Sequence, residues 1–213
     1  GIGSLVYAIA VLLPALRHSR GARRVAGGVR RALDPGRELR EAQDAFEVSA
    51  NADNRLRLAD ALLDAGRPAE AVEQLRAARQ NVHSDDPEIR IRLARALLEA
   101  GDAAQARAEL ESLRREQPQY RSAEGHLVYA RAVAALDDRA QAREEFDALV
   151  GYYAGFEPRA RYAELLLAWG EREAAQRLAQ DSFKQATRLP RYSRDMNREW
   201  IARIEKVART AQV

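Results

Sequence analysis

The feature that most constrains this chain is an internal repeat with a period of 33 to 36 residues. Equivalent turn positions recur along the sequence, and the spacings between successive turn markers are 35, 36 and 33 residues. Apolar or small residues stand 8, 7 and 4 residues before each marker and, with one exception, 5, 9 and 12 residues after it. The four markers are Gly66, Gly101, Asp137 and Gly170. A repeat of this length decides the architecture, because each copy is one supersecondary unit.

The residue types at these offsets predict two amphipathic helices joined by a tight turn in each unit. Spacings of three and four residues place the large apolar side chains on one stripe of each helix. Small residues such as Ala94 and Ala106 let the two helices approach closely. Gly at the marker tolerates the positive φ of a helix C-cap, and Asp137 is a suitable substitute. Prolines suited to a first helical turn stand at Pro68, Pro87 and Pro158.

This pattern resembles the tetratricopeptide repeat family over roughly residues 53–189. The shared features are a small and a large residue in the first helix, Gly at the turn, Ala in the second helix and Pro, such as Pro118, after it. The sequence departs from the pattern at Ser182 and at His83. The resemblance implies an all-α fold, a right-handed α-solenoid of about four helix hairpins whose concave face binds peptides or proteins. The alternative is an unrelated helical bundle with fortuitous spacing.

The repeat also sets the expected organisation of the chain. We expect an N-terminal capping helix at 37–50 and a C-terminal cap at 190–213, in which 191–210 form one helix and Trp200 packs on the last repeat. Terminal units of solenoids are atypical in this way. The four units are expected at 51–84, 85–120, 121–155 and 156–189, within a repeat region of 51–189. Their helices are expected at about 53–65, 68–81, 87–100, 103–116, 121–136, 139–151, 157–169 and 172–187.

Residues 1–16 predict a membrane anchor. Residues 2–16 carry no charge and are followed at once by Arg17. As a helix they span about 22 Å, less than a hydrocarbon core of roughly 30 Å. We therefore expect them to be the end of a membrane span that begins upstream of Gly1. The alternative is an apolar helix that packs on the solenoid or on a partner.

Residues 1–7, GIGSLVY, also resemble the second helix of the two-helix membrane anchor of cardiolipin synthases and related phospholipase D-type proteins. The resemblance implies a further membrane helix upstream. The catalytic His-x-Lys motif of those enzymes is absent, because Arg20, Asp85 and Val128 stand two residues after the three histidines. The likeness therefore concerns the anchor alone.

The basic residues are concentrated next to this apolar stretch. Residues 1–40 carry a net charge of +6 and the remaining residues a net charge of −3. We expect 17–36 to be a juxtamembrane connector that contacts anionic lipid and lies in the cytoplasm. Nucleic-acid binding is less favoured, because no aromatic residues are interleaved for base stacking. The almost exclusive use of Arg over Lys indicates a GC-rich bacterial genome.

Motifs for catalysis and metal binding are absent from the sequence. Cysteine is absent, which excludes disulfides and thiol chemistry. There is no phosphate-binding loop, H-E-x-x-H or G-x-S-x-G motif. His126 is expected to be a satisfied, partly buried residue, and 151–155 an inter-repeat loop whose tyrosines pack or form an interface hot spot. We expect no enzymatic activity, no catalytic residue, no cofactor and no metal.

The resemblance implies that the first helix of each unit lines a protein-binding groove. The groove positions are those ten, six and three residues before each marker: Leu56, Asp60, Leu63, Ile91, Arg95, Leu98, Leu127, Arg131, Ala134, Ala160, Glu164 and Leu167. Arg95 and Arg131 suit recognition of an acidic peptide, or they pair with Glu99, Glu124 or Asp60. The Lys and Asn residues of the chaperone-tail-binding subclass are missing here.

The leading hypothesis is a repeat scaffold anchored in a bacterial inner membrane, with its repeats in the cytoplasm and an unknown protein or peptide in the groove. The N-terminal segment would contact membrane lipid. Two alternatives remain: an accessory subunit of a phospholipid-metabolising enzyme, and a soluble oligomeric assembly module.

Overall fold

The computed structural model describes residues 36–80, 85–153 and 155–211, and these residues form eleven α-helices and no β-strand. The helices are α1 Arg37–Val48, α2 Ala52–Asp64, α3 Pro68–Arg79, α4 Pro87–Glu99, α5 Ala103–Glu116, α6 Ala123–Ala135, α7 Arg139–Tyr152, α8 Glu157–Ala168, α9 Arg172–Thr187, α10 Arg191–Met196 and α11 Arg198–Thr210. The all-α prediction is confirmed for this part of the chain. The chain divides into two compact units, Gly1–Ile89 and Arg90–Val213, and the division falls in the first turn of α4.

The predicted anchor helix at 1–16 and all but the last residue of the predicted connector at 17–36 lie outside the described residues, as does His83. Among the helices that are described, none has both the length and the apolar character needed to cross a membrane.

The repeat positions form the core. All twenty-four side chains at the six offsets are buried, with exposed fractions of 7% or less. The eight alanines 7 residues before and 5 residues after the markers are completely inaccessible: Ala59, Ala71, Ala94, Ala106, Ala130, Ala142, Ala163 and Ala175. Ser182, which departs from the family pattern, is also buried at 2% exposure. The periodicity therefore identified the core correctly.

All four turn markers adopt the left-handed backbone conformation that their residue types predict. In the turn after α4, the N–H of Gly101 donates to the Leu98 carbonyl (3.1 Å) and the N–H of Asp102 donates to the Leu97 carbonyl (2.8 Å). This is the Schellman arrangement, and the other three turns repeat it. The φ angles are +70° at Gly66, +89° at Gly101, +59° at Asp137 and +83° at Gly170.

A polar contact joins the two helices in three of the four hairpins. It connects a basic residue 11 before the marker with a hydrogen-bonding side chain 8 after it. The pairs are Arg55 Nη1 with Gln74 Oε1 (2.9 Å), Arg90 Nε with Glu109 Oε1 (2.6 Å) and His126 Nε2 with Glu145 Oε2 (2.6 Å). We call these contacts the hairpin clasps. In the fourth hairpin Leu178 replaces the acceptor, and Arg159 instead donates to the carbonyls of Val150 (2.6 Å) and Tyr153 (3.1 Å).

In the first unit, α1 packs on α2 and α2 packs on α3. The Asn54 amide fixes the connection between α1 and α2, because its Nδ2 donates to the carbonyls of Ala45 (3.0 Å) and Ser49 (2.9 Å). The helix at the N-terminal end of the described residues thus packs on the first helix of the first hairpin.

In the second unit, α5 packs on α6, α6 on α7, α7 on α8 and α8 on α9. The final helix α11 packs on both α8 and α9. Its Ile204 and Val207 are buried in the same cluster as Phe146 and Tyr162, whose rings stack with centroids 5.3 Å apart. Trp200 packs against this cluster, as predicted.

Two sequence-based boundaries were wrong. The expected single closing helix at 191–210 is broken at Asn197, because this side chain donates from Nδ2 to the Ser193 carbonyl (2.9 Å) and accepts from the N–H of Phe156 (3.4 Å). Asn side chains compete with the helical backbone in this way. The expected loop at 151–155 begins later, because α7 continues to Tyr152.

Candidate functional site

The predicted groove residues lie on the first helices of the hairpins. Leu56, Asp60 and Leu63 are on α2, within the first unit. The other nine lie in the second unit: Ile91, Arg95 and Leu98 on α4, Leu127, Arg131 and Ala134 on α6, and Ala160, Glu164 and Leu167 on α8. These nine residues, with their side-chain neighbours, are the candidate site, and we call the surface they form the first-helix face.

The three offsets differ in exposure. The residues ten before the markers are buried in the second unit: Ile91 at 2%, Leu127 at 4% and Ala160 at 0% exposure. They contribute packing and present little surface to a ligand. The residues three before the markers, Leu98, Ala134 and Leu167, are partly exposed. An apolar position therefore recurs at the surface of each of these first helices.

Charged residues six before the markers form ion pairs between neighbouring helices. Arg131 Nη2 on α6 donates to Glu99 Oε1 at the end of α4 (2.7 Å), and Arg95 Nη1 lies 3.8 Å from Glu124 Oε1 on α6. Each arginine thus pairs with one of the carboxylates that were predicted as alternatives to a peptide ligand. The Arg95 pair is longer and its side chains are 43% and 54% exposed. Arg95 is therefore the more accessible cation of the two.

A second group of charges lies where α8 meets α11. Arg203 donates from Nε and Nη2 to the two carboxylate oxygens of Glu164, at 2.8 and 2.5 Å. Arg161 Nε donates to Glu157 Oε1 (2.7 Å). The Trp200 ring contacts both guanidinium groups, with Arg203 4.7 Å and Arg161 5.0 Å from its centroid. Two cation–π contacts and two ion pairs therefore fix this end of the face.

The pKa values of the Glu99 carboxyl and the Arg161 guanidinium are both shifted by neighbouring charges. Burial alone would raise the pKa of the Glu99 carboxyl, but the hydrogen bond from Arg131 and the positive charges of Arg131, Arg161 and Arg95 outweigh it and lower the pKa. Burial lowers the pKa of the Arg161 guanidinium, and the charge of Arg131 lowers it further. The positive charges of three arginines thus stabilise the ionised form of Glu99.

Sequence reasoning missed Arg161, Glu157 and Arg203 as part of this surface. The i,i+4 spacing of Glu157 and Arg161 was a usable signal. Arg203 carried no such signal, because it lies in the closing helix and outside the repeat offsets.

We expect the Glu99→Gln substitution to lower the free energy of unfolding slightly at neutral pH, by less than about 1 kcal/mol, because the pair with Arg131 is partly exposed. The effect should depend on pH. The folded pKa of Glu99 lies below its ordinary value of 4.5, so the pair contributes stability above that pH and loses it as the pH falls through the folded pKa. Urea unfolding of both proteins between pH 7 and pH 3 measures the difference.

Glu144→Gln on α7 is the matched control, because Glu144 is exposed and the substitution makes the same change in charge. A stability difference for Glu99→Gln that persists undiminished at pH 3 would contradict the assignment.

Comparisons with known proteins agree with this geometry. A family model described as tetratricopeptide repeat matches residues 56–121 and, in an overlapping alignment, 91–151. No curated protein sequence matches the chain. Among solved structures, the crystal structure of a thermophilic tetratricopeptide repeat protein of Thermus thermophilus is similar, with a TM-score of 0.61 at 20% sequence identity. The alignment covers 79% of this chain and 88% of that chain. The chain thus has the fold of tetratricopeptide repeat proteins, and residues 56–151 match the repeat of that family.

Proposed function

We propose that this chain is a non-catalytic scaffold that binds a partner protein through the first-helix face of its second unit. The repeat match and the similar fold of a known tetratricopeptide repeat protein support a role in protein–protein interaction. The observation that carries the proposal is the partly exposed apolar position that recurs on α4, α6 and α8, at Leu98, Ala134 and Leu167.

The charged side chains beside these apolar positions would form the polar rim of the interface with the partner. Interfaces commonly combine an apolar centre with a polar, solvent-accessible rim. Arg95, Arg131 and Arg203 are held by carboxylates of the same chain. Such pairs orient the guanidinium groups in advance, which reduces the entropy lost when a partner binds. A partner carboxylate would compete most readily for Arg95, whose own pair is the longest of the three.

The face is tested by comparing the proteins that the immobilised chain recovers from a lysate of the organism that encodes it. We expect the double substitution Leu98→Glu and Leu167→Glu to reduce recovery of the specific partner at least tenfold, which corresponds to about 1.4 kcal/mol. Both positions are partly exposed, so the variant should stay folded, which circular dichroism would verify.

The control is Leu136→Glu, which places the same side chain at an exposed leucine in the turn after α6. Equal recovery by the wild type and the face variant, with both proteins folded, would reject the first-helix face as the binding surface.

We further propose that the N-terminal segment attaches the scaffold to the cytoplasmic side of a bacterial inner membrane. The support is the sequence alone: the uncharged stretch at 2–16 is followed by Arg17, Arg20, Arg23 and Arg24. The positive-inside rule places such a flank in the cytoplasm.

Fractionation of the native protein tests the attachment. We expect the protein to sediment with membranes, to resist washing with high salt, and to be released by detergent, because the apolar stretch and not only the arginines would hold it. The control is a variant in which Arg17, Arg20, Arg23 and Arg24 are replaced by Gln, which should still sediment. Recovery of the native protein in the supernatant without detergent would contradict membrane attachment.

A further inference from the structure

The second unit contains a cleft of about 570 Å³ that shares Ile91 with the first-helix face. Its walls come from Ile91 of α4, the C-terminal half of α5, the connection at 117–122, the N-terminal half of α6 and Tyr152 at the end of α7. Its volume lies within the range of roughly 300–1,000 Å³ that is typical of ligand pockets. The predicted groove included only one of its lining residues, Ile91.

The apolar part of the cleft is formed by buried side chains. Ile91, Leu110 and Leu113 line it and are 2%, 7% and 5% exposed. Gly125 lines it without a side chain, and a Cβ atom there would lie only 3.1 Å from Cδ1 of Ile91. A side chain at this position would therefore be in tight contact with Ile91, and the glycine leaves this part of the cleft open.

Two of the residues that line the cleft are arginines. The Arg114 guanidinium lies over the Tyr129 ring, 4.8 Å from its centroid. Arg121 Nη1 donates to the carbonyls of Pro118 (2.5 Å) and Tyr120 (3.0 Å), which ties its side chain to the connection between α5 and α6. None of the residues that line the cleft is an aspartate or a glutamate.

The part of the cleft wall formed by His126 and Tyr152 is also held in place. His126 Nδ1 hydrogen-bonds to the Tyr152 hydroxyl (2.7 Å), and the two rings stack with centroids 5.7 Å apart. The other ring nitrogen of His126 forms the hairpin clasp with Glu145. Tyr152 is 55% exposed, so its ring is accessible as well as positioned. Rigid aromatic side chains of this kind lose little conformational entropy on binding.

We propose that this cleft binds a short segment of a partner protein that presents a carboxylate next to an apolar or aromatic side chain. The carboxylate pairs with Arg114, and the apolar side chain covers Ile91, Leu110 and Leu113 between the tyrosine rings. A segment with a carboxylate is favoured over a basic one, because the cleft has cationic lining residues and no anionic ones.

A protein segment is favoured over a free small molecule because the cleft shares Ile91 and helix α6 with the first-helix face. Helix α6 contributes Gly125, His126 and Tyr129 to the cleft and Arg131 and Ala134 to the face. The inference therefore rests on the proposed function and names the chemistry of one part of the partner.

The test is selection of a displayed library of random 12-residue peptides on the immobilised 213-residue chain. Synthetic versions of the enriched peptides are then titrated by fluorescence polarisation. We expect enrichment of peptides with Asp or Glu beside an apolar or aromatic residue. The Arg114→Glu substitution should weaken their binding at least tenfold, and replacing the peptide carboxylate with its amide should cause a similar loss.

The matched control is Arg115→Glu, because Arg115 is the next residue of α5, is exposed and does not line the cleft. It should change affinity less than twofold. Tyr152→Ala is a second variant at an exposed position and should also weaken binding. Circular dichroism of each variant verifies that it is folded.

Other outcomes overturn the inference. Equal losses for Arg114→Glu and Arg115→Glu would show attraction by overall charge and no specific site. Binding that is lost in the Leu98→Glu and Leu167→Glu variant but unaffected by Arg114→Glu and Tyr152→Ala would reject the cleft and still support the first-helix face. Failure to enrich any peptide would reject the cleft, while the proposed function would still be decided by the lysate comparison. Binding of a free aromatic carboxylate that no peptide displaces would assign the cleft to a small molecule.

Discussion

The structure depends on the close contact of paired helices at completely buried alanines. The two alanine positions of every hairpin have no accessible surface, in both units. A larger side chain at these positions would separate the two helices, since protein interiors are close-packed and overpacking forces neighbouring atoms to move. The turn between the helices must also be short, and the positive φ at the four markers, with paired Schellman hydrogen bonds, provides this. Small residues and turn geometry together fix the hairpin.

In three of the four hairpins, the hairpin clasps add a polar contact between helices whose alanines are completely buried. Arg90 is the clearest example, because its side chain is 1% exposed and bonds to both Glu109 and Glu116. A buried charge is tolerated when it is paired and hydrogen-bonded, and removing one partner is strongly destabilising. The His126 clasp has a second role, because the same ring positions Tyr152 at the cleft. A structural contact of the repeat is thus also part of a candidate binding site.

The sequence predicted the helices and the core well because both follow from local patterns. Every residue at the six offsets around the markers is buried, and α5 and α9 begin and end where the sequence placed them. The break at Asn197 was not predictable, since it depends on a hydrogen bond to Phe156, 41 residues away. The clasps were present in the sequence as a periodic pairing of a basic residue with an acceptor, but a search limited to apolar positions does not detect them. The cleft was missed because it is formed by α4, α5, α6, α7 and a connection, and no single repeat contains it.

The binding surfaces follow from the same constraint. Once the alanines fix each hairpin, the first helices present the same offsets at their surface, and the site is built from the residues that remain exposed there.

The most direct measurement of the central claim is the free energy of unfolding of two variants of α7, Ala142→Leu and Ala148→Leu. Ala142 is completely buried and Ala148 is exposed on the same helix. We expect a loss of about 1–3 kcal/mol for Ala142→Leu and a change within about 0.5 kcal/mol for Ala148→Leu. Equal stability of the two variants would contradict the central role of the buried alanines.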